Sequence, residues 1–385
     1  MYKRLLSAID NKKSFFLFGP RATGKTTWLK ENIKSAIYVD LLKSEDFIKF
    51  TSNPSSLENL IPPDYSGWVI IDEIQKVPQL LNEIHRLIEA RRAYFILTGS
   101  SARALRRKGV NLLAGRALTL YMFPLTAIEL GDDFSIEKSI RFGHLPAVFS
   151  ESDKNAYLKS YVTTYLKEEV LQEGLTRNIG AFSRFLEAAS FSQGAVINFT
   201  EIAREMGLNR KVVENYFSIL EDLLLSIQIP VFTRRAKRRM TAHPKFYFFD
   251  TGVYQTLRPR GPLDSFTEIS GAAVEGLFLQ DAMAVNSCLN LGYQFYFWRT
   301  GSGIEVDFIL YGDGGLKAFE VKHTDKVRKK DLKGLTAFKD DYPEAEVFLV
   351  YNGERTEYHG DITALPLSLT LKKMDLLLTG KLKSE

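Results

Sequence analysis

One cysteine in 385 residues, Cys288, excludes an intramolecular disulfide framework, and the five histidines form no Cys/His group at zinc-ligand spacing. A reducing cytoplasm is therefore the expected compartment. Long apolar runs are equally scarce. The greasiest stretch, LLLSIQIPVF, is interrupted by Ser226, Gln228 and Pro230 and falls far short of a membrane span. The opening MYKRLLSAIDNKKSFF carries charges where a signal peptide needs an apolar core, so no membrane contact is expected. Internal repeats and low-complexity segments are absent, which excludes solenoids and fibrous arrays. Neither charge sign dominates: 51 Lys and Arg against 46 Asp and Glu leave a net +5, a mild bias toward anionic partners. What is present, 45% hydrophobic and 25% charged residues, is an ordinary globular composition with enough length for two or three cores.

The pattern along the chain changes twice. The first part alternates short β-rich runs (SFFLFG, AIYVD, WVIID, YFILTG, ALTLYMF) with helical periodicity, which predicts a mostly parallel sheet covered by helices. From about Asp153 to Ser226 the pattern is helical, and after the basic tract TRRAKRRMTAHPK strands and helices mix again. Three regions follow, 1–150, 151–240 and 241–385, in an α/β chain with a helical middle.

GPRATGKTT, residues 19–27, follows the apolar strand FFLF and leads into a helix, the context that G-x-x-x-x-G-K-[ST] requires. Gly19 and Gly24 let the loop of Pro20, Arg21, Ala22 and Thr23 wrap closely around phosphates. Lys25 reaches the β- and γ-phosphates, Thr26 reaches Mg²⁺, and Thr27 continues the helix N-terminus. WVIIDEIQ then delivers Asp72 toward the metal and Glu73 as the carboxylate that polarises the attacking water. Thr98, Ser100 and Ser101 end the next strand and offer a hydroxyl to the γ-phosphate; Ser100 is taken as the nucleotide-side group, with the choice among the three open.

These stretches, with ILTGSSARAL, LAGRALTLYMFPLTAIEL and FYFFDTG, resemble the AAA+ superfamily, and more narrowly the prokaryotic ATPases that carry a C-terminal domain of formerly unknown function. The resemblance implies an AAA+-type ATPase over 1–150, a helical lid over the start of the middle region, ATP and Mg²⁺ as ligands, and a homo-oligomer. Within it Arg116 stands where such ATPases keep an arginine finger that acts on a neighbouring subunit's nucleotide.

NFTEIAREMGLNRKVVENYFSILEDLLLS has the spacing of a helix-turn-helix, with Thr200 and Asn209 as N-caps and a turn at Gly207. The tract that follows, Val231 to Lys245, resembles the wing of a winged helix and holds six Lys or Arg and no acid. Arg234, Arg235, Lys237, Arg238 and Arg239 are the residues expected to contact DNA phosphates. A packing module with a solvated charge run is the competing reading.

The third region reads αβββαβ. If the turn GDGG is symmetric, Tyr311 faces Leu316 and Asp307 stands opposite Glu320, with Lys322 on the same face as Glu320. Two carboxylates so close repel unless a cation lies between them, and hard oxygen ligands suit Mg²⁺ or Mn²⁺. Lys322 would then orient the water or stabilise charge building on phosphorus. A plain salt bridge between Glu305 and Lys322 is the bland alternative. Asp307 with Glu320-Val321-Lys322 resembles the PD-(D/E)XK nucleases, which implies a restriction-endonuclease-like fold over 241–385 and a further acid, Glu275, on the preceding helix. Val306 stands where the family name has proline. His144 and His323 lack a nucleophile partner and are assigned no catalytic role, and Asp250 reads as a helix cap. The combined expectation is an ATP-hydrolysing DNA-processing enzyme with a metal-dependent nuclease centre. The alternatives are a regulatory ATPase switch whose nuclease fold binds nucleic acid without cutting, and an ATP-dependent protein-remodelling factor.

Overall fold

The computed structural model describes residues 2–7, 13–90, 93–100, 113, 115–165, 170, 178–234, 243–262 and 264–382. They form two compact units: Arg4–Phe123 with Asp222–Leu224, and Met1–Lys3 with Pro124–Glu221 and Leu225–Glu385. No helix among the described residues is long and apolar enough to cross a membrane.

In the unit built on Arg4–Phe123, five strands form one parallel sheet: β1 (Phe15–Phe18), β2 (Ile37–Asp40), β3 (Trp68–Asp72), β4 (Tyr94–Gly99) and β5 (Leu118–Tyr121), in the order β2-β3-β4-β1-β5. The runs FFLF and VIID read as continuous apolar segments because both faces of this sheet are covered. Phe16, Phe18, Val69, Ile71, Phe95 and Leu97 meet Leu80, Ile84 and Leu87 of the amphipathic helix Leu80–Glu89 in a single core. Parallel pairing brings the C-terminal ends of β1, β3 and β4 to the same edge of the sheet, which is where the expected nucleotide residues stand.

The other unit begins with short helices and continues through longer helices and a small sheet. The helix Ile179–Ser190 precedes β6 (Ala195–Val196), and the helices Phe199–Met206 and Arg210–Asp222 lead to β7 (Ser226–Ile229) and β8 (Lys245–Phe248). Its small antiparallel sheet runs β6-β8-β7. Gly207, with φ 63°, supplies the left-handed turn between the two helices. The first of them is capped by Asn198, whose side chain accepts from the Glu201 N–H, and not by Thr200, which lies inside it. Asn209 caps the second helix by accepting from the Lys211 N–H.

A six-stranded sheet completes this unit: β9 (Gln294–Arg299), β10 (Glu305–Gly312), β11 (Gly315–Lys322), β12 (Glu346–Tyr351), β13 (Glu357–His359) and β14 (Ile362–Pro366), ordered β13-β14-β12-β11-β10-β9. The expected αβββαβ order is present, with the helices Phe266–Cys288 and Lys333–Asp341 in their places. The chain then adds β13, β14 and two short helices, in a segment with no periodicity strong enough to announce them. Phe278 of the long helix stacks over Phe308 and Phe319, fixing that helix across the β10–β11 hairpin.

The first residues of the expected wing are tied down. Val231 bridges to Phe297 of β9, the Phe232 N–H donates to the Phe297 carbonyl at 2.7 Å, and the Phe232 ring is buried in the sheet's core. Arg234 lies 4.7 Å over the Tyr311 ring. Arg235, Lys237, Arg238 and Arg239 lie outside the described residues.

Candidate functional sites

At the end of β1 the loop from Gly19 to Gly24 turns into the helix Lys25–Asn32. A side chain at Gly19 would collide with the Met122 carbonyl, and Gly24 has φ 90°, so both glycines are required by geometry. The Lys25 ammonium is buried in this loop and donates to the carbonyls of Gly19 (2.6 Å) and Pro20 (3.1 Å). The Thr26 hydroxyl donates to Asp72 at 3.1 Å, joining the two groups expected at the magnesium. Asp72 also accepts from Thr98 and from Tyr38, so three hydroxyls from three elements converge on one buried carboxylate. Burial, then the bond to Asp72 and its charge, push the Tyr38 phenol up from its ordinary range. Glu73 follows with φ 62°, a strained backbone held by its N–H donating to Thr98 at 3.1 Å. Its carboxylate accepts from Gln75, whose amide also reaches Ser100 at 3.3 Å. Glu73 and Ser100 are thereby joined through a residue that sequence reading passed over.

Two further residues were not foreseen in this role. Arg4 donates to the Thr23 carbonyl at 3.1 Å and to the Phe123 carbonyl, clamping the loop from the N-terminal segment. Tyr38 was invisible because nothing in the run AIYVD sets it apart from a packing residue. Arg116 is exposed and ion-paired with Glu89 in the same unit. The donor set suits a bound nucleotide and Mg²⁺: Lys25 and the loop from Gly19 to Gly24 would hold the phosphates, and the Thr26–Asp72 pair the metal.

The second centre forms where β10 and β11 part. Their ladder runs from Gly312↔Gly315 through Tyr311↔Leu316 to Phe308↔Phe319, the register expected from a symmetric turn. Continuing that register would set Asp307 opposite Glu320, but the ladder stops at Phe308↔Phe319. The Asp307 carboxylate instead accepts the Val321 N–H at 3.0 Å. On its other side β10 shifts register against β9 between Val306 and Ile309, a bulge that re-aims the Asp307 side chain.

Lys322 donates to Glu320 at 2.6 Å and lies 3.6 Å from Asp307. Where a metal ion was expected, a second lysine takes up much of the charge. The Lys245 ammonium, only 1% exposed, sits 2.8 Å from Asp307, 2.8 Å from Glu305 and 3.3 Å from Glu275. The alternative pairing of Glu305 with Lys322 does not occur; Glu305 spans Lys245 and Arg299, the latter at 3.5 Å. Glu275, foreseen as a further metal ligand, is engaged by Lys245 and by the Tyr247 hydroxyl at 2.9 Å.

Burial raises the Glu320 carboxyl to about 8, with the Asp307 charge adding to it against the pull of Lys322. Glu275 is raised to about 7 for the same first reason, again helped by Asp307. Asp307 is also disfavoured by burial, but Lys245, Lys322 and the Val321 N–H outweigh it and hold its carboxyl down at about 2. For both lysines burial alone would lower the pKa, and the surrounding acids, Asp307 foremost, overturn that and keep the ammonium charged.

Among the described residues no group of three or more Asp, Glu, His or Cys side chains is gathered as a ready metal site. Mg²⁺ is nevertheless commonly held by one or two carboxylates with water completing the shell. Glu320 Oε2 is buried with no hydrogen-bond partner among the described residues, so the Asp307–Glu320 pair keeps one oxygen that a hard dication could take. His144 is fully enclosed, bonded through Nδ1 to the Leu125 carbonyl and through Nε2 to Ser139, both at 2.7 Å. Asp250 caps the helix Thr251–Leu257 and also accepts the His144 N–H at 2.7 Å, a structural junction.

Residues 134–264 match a domain of unknown function, DUF8612, and residues 270–370 match another, DUF4143. Uncharacterized proteins of Mycobacterium tuberculosis and Mycobacterium bovis are each 27% identical over 388 residues, spanning 97% of this chain and 85% of theirs. Among solved structures, the Aeropyrum pernix ORC1 protein in complex with DNA aligns at a TM-score of 0.25 and 16% identity, covering 64% of this chain and 86% of that one. That likeness is too low to carry an argument about function. Residues 11–131 match the family described as AAA domain. That match spans the loop and the Thr26–Asp72 pair, and together they support ATP binding by the N-terminal region.

Proposed function

We propose that the protein is an ATP-hydrolysing DNA-processing enzyme whose second centre cuts phosphodiester bonds with the help of a divalent cation. In the ATPase, Lys25 and the loop N–H groups hold the phosphates, Thr26 and Asp72 hold Mg²⁺, and Glu73 orients the attacking water. Arg116 acts on the nucleotide of a neighbouring copy. In the second centre Asp307 and Glu320 would hold Mg²⁺ or Mn²⁺, which when bound supplies Lewis-acid stabilisation and a more acidic water. Lys322, already hydrogen-bonded to Glu320, is placed to stabilise negative charge on a scissile phosphate. The basic residues from Arg234 to Arg239 would hold the DNA backbone.

The observation that carries the nuclease reading is the meeting of Asp307, Glu320 and Lys322 at a bulged, buried strand end with one Glu320 oxygen left unsatisfied. The test is cleavage of single- and double-stranded DNA in Mg²⁺ or Mn²⁺, with and without ATP, by wild type, Lys25→Ala and Asp307→Ala. Loss in Asp307→Ala alone is expected if cutting is independent of ATP, and loss in both if the two are coupled. No cleavage by wild type would remove the nuclease. A second reading, an ATPase switch with a non-cutting nuclease fold, is favoured by one observation: Lys245 already neutralises much of the carboxylate charge.

A further inference from the structure

A buried ammonium is costly to desolvate and persists only where acids compensate it closely. Lys245 meets that condition with Asp307, Glu305 and Glu275, all within 3.3 Å. It comes from β8 of the winged-helix sheet, whereas Lys322 comes from the same hairpin as the carboxylates. The strand is two-faced. Phe246 and Phe248 turn toward the helical core, Phe246 packing 5.0 Å from Phe217, while Lys245 and Tyr247 turn toward Asp307 and Glu275. Lys245, Lys322 and Arg299 already set three positive groups against Glu275, Glu305, Asp307 and Glu320, and a dication added there would sit beside two ammonium groups.

We propose that Lys245 is a built-in competitor of the divalent cation: its ammonium holds the Asp307 carboxylate that a metal ion needs, and so keeps the centre's metal affinity low. The inference rests on the cation-site part of the reading above. It assigns regulation of that site to the strand that leaves the basic tract, so that whatever moves β8 away from Asp307 raises metal affinity.

The test uses the full-length protein stripped with chelator. Mn²⁺ binding is followed by the loss of the free-ion electron paramagnetic resonance signal, and thermal unfolding is measured with and without MnCl₂. Lys245→Met removes the charge and keeps a similar side-chain length. It is expected to bind Mn²⁺ more tightly than wild type by about tenfold or more, within the range that outer-shell partners exert on metal sites. It should also be stabilised by Mn²⁺ where wild type is not. Adding Asp307→Asn to Lys245→Met is expected to abolish both gains. Mn²⁺ affinity in Lys245→Met equal to or weaker than wild type overturns the proposal. If Lys245→Met does not fold without metal, the proposal requires that it fold in Mn²⁺, and failure there overturns it as well. Cleavage is scored separately: if no variant cuts DNA the nuclease is lost, while the Mn²⁺ titration still decides the competition.

Discussion

At Glu320 burial and the Asp307 charge together outweigh the pull of Lys322. The Glu320 carboxyl is raised to about 8 from an ordinary 4.5, so the folded state holds a proton that the unfolded chain releases. An acid raised in this way contributes stability that is fully present below about pH 4.5 and is lost as pH rises through about 8. Glu275, raised to about 7, acts in the same sense, whereas Asp307, held at about 2, gives stability that is lost only as pH falls through that value. Metal-free protein should therefore be less stable at pH 9 than at pH 6. Glu320→Gln should flatten that difference by on the order of 2 kcal/mol, since one pKa unit is worth about 1.4 kcal/mol and the coupled neighbours share the effect. Chemical denaturation at the two pH values gives the answer, and parallel profiles for wild type and variant would refute the assignment.

At the scale of elements, what could be read ahead of the structure depended on short-range periodicity. The P-loop, the β3 terminus and the β10–β11 hairpin each state their geometry within about ten residues, and the register Tyr311↔Leu316 follows from the turn alone. The bulge at β10 was hidden because it answers to β9, a pairing that no local pattern specifies. Lys245 was hidden for a related reason: in the sequence it closes a basic run and looks like one more solvated charge, while in the fold it is the first residue of β8 and faces inward. Alternation in KFYF, read as a strand with two buried faces, was the available signal. The same distinction makes a prediction about DNA. Reversing the charge of Arg234, Arg235, Lys237, Arg238 and Arg239 should abolish duplex binding at moderate salt. It should also shallow the salt dependence by about 0.9 in log–log slope for each phosphate that the tract no longer neutralises. Lys245→Met should leave both unchanged, because its ammonium is enclosed. Fluorescence anisotropy over a salt series measures this, and an unaltered slope in the five-residue variant would exclude the tract as the DNA-holding surface.

For the whole molecule the question is whether one chain suffices for ATP turnover. Lys25, Thr26, Asp72 and Glu73 lie on one edge of the same parallel sheet, so nucleotide binding needs only one copy. Arg116 behaves differently. It is exposed, and its ion pair with Glu89, also exposed, is of a kind worth at most about 1 kcal/mol. If Arg116 completes the site of a neighbour, Arg116→Ala should bind ATP as wild type does and lose turnover. Lys25→Ala should fail at the nucleotide yet still present a sound Arg116. Each variant would be inactive alone. Mixed in equal amounts, they should recover part of the wild-type rate, because some interfaces then join an intact loop to an intact arginine. Recovery should grow with total protein concentration, as required of an encounter between copies. Steady-state phosphate release from the two variants, separately and mixed over a range of concentrations, measures this. A mixture no faster than the sum of its parts would confine Arg116 to its own subunit.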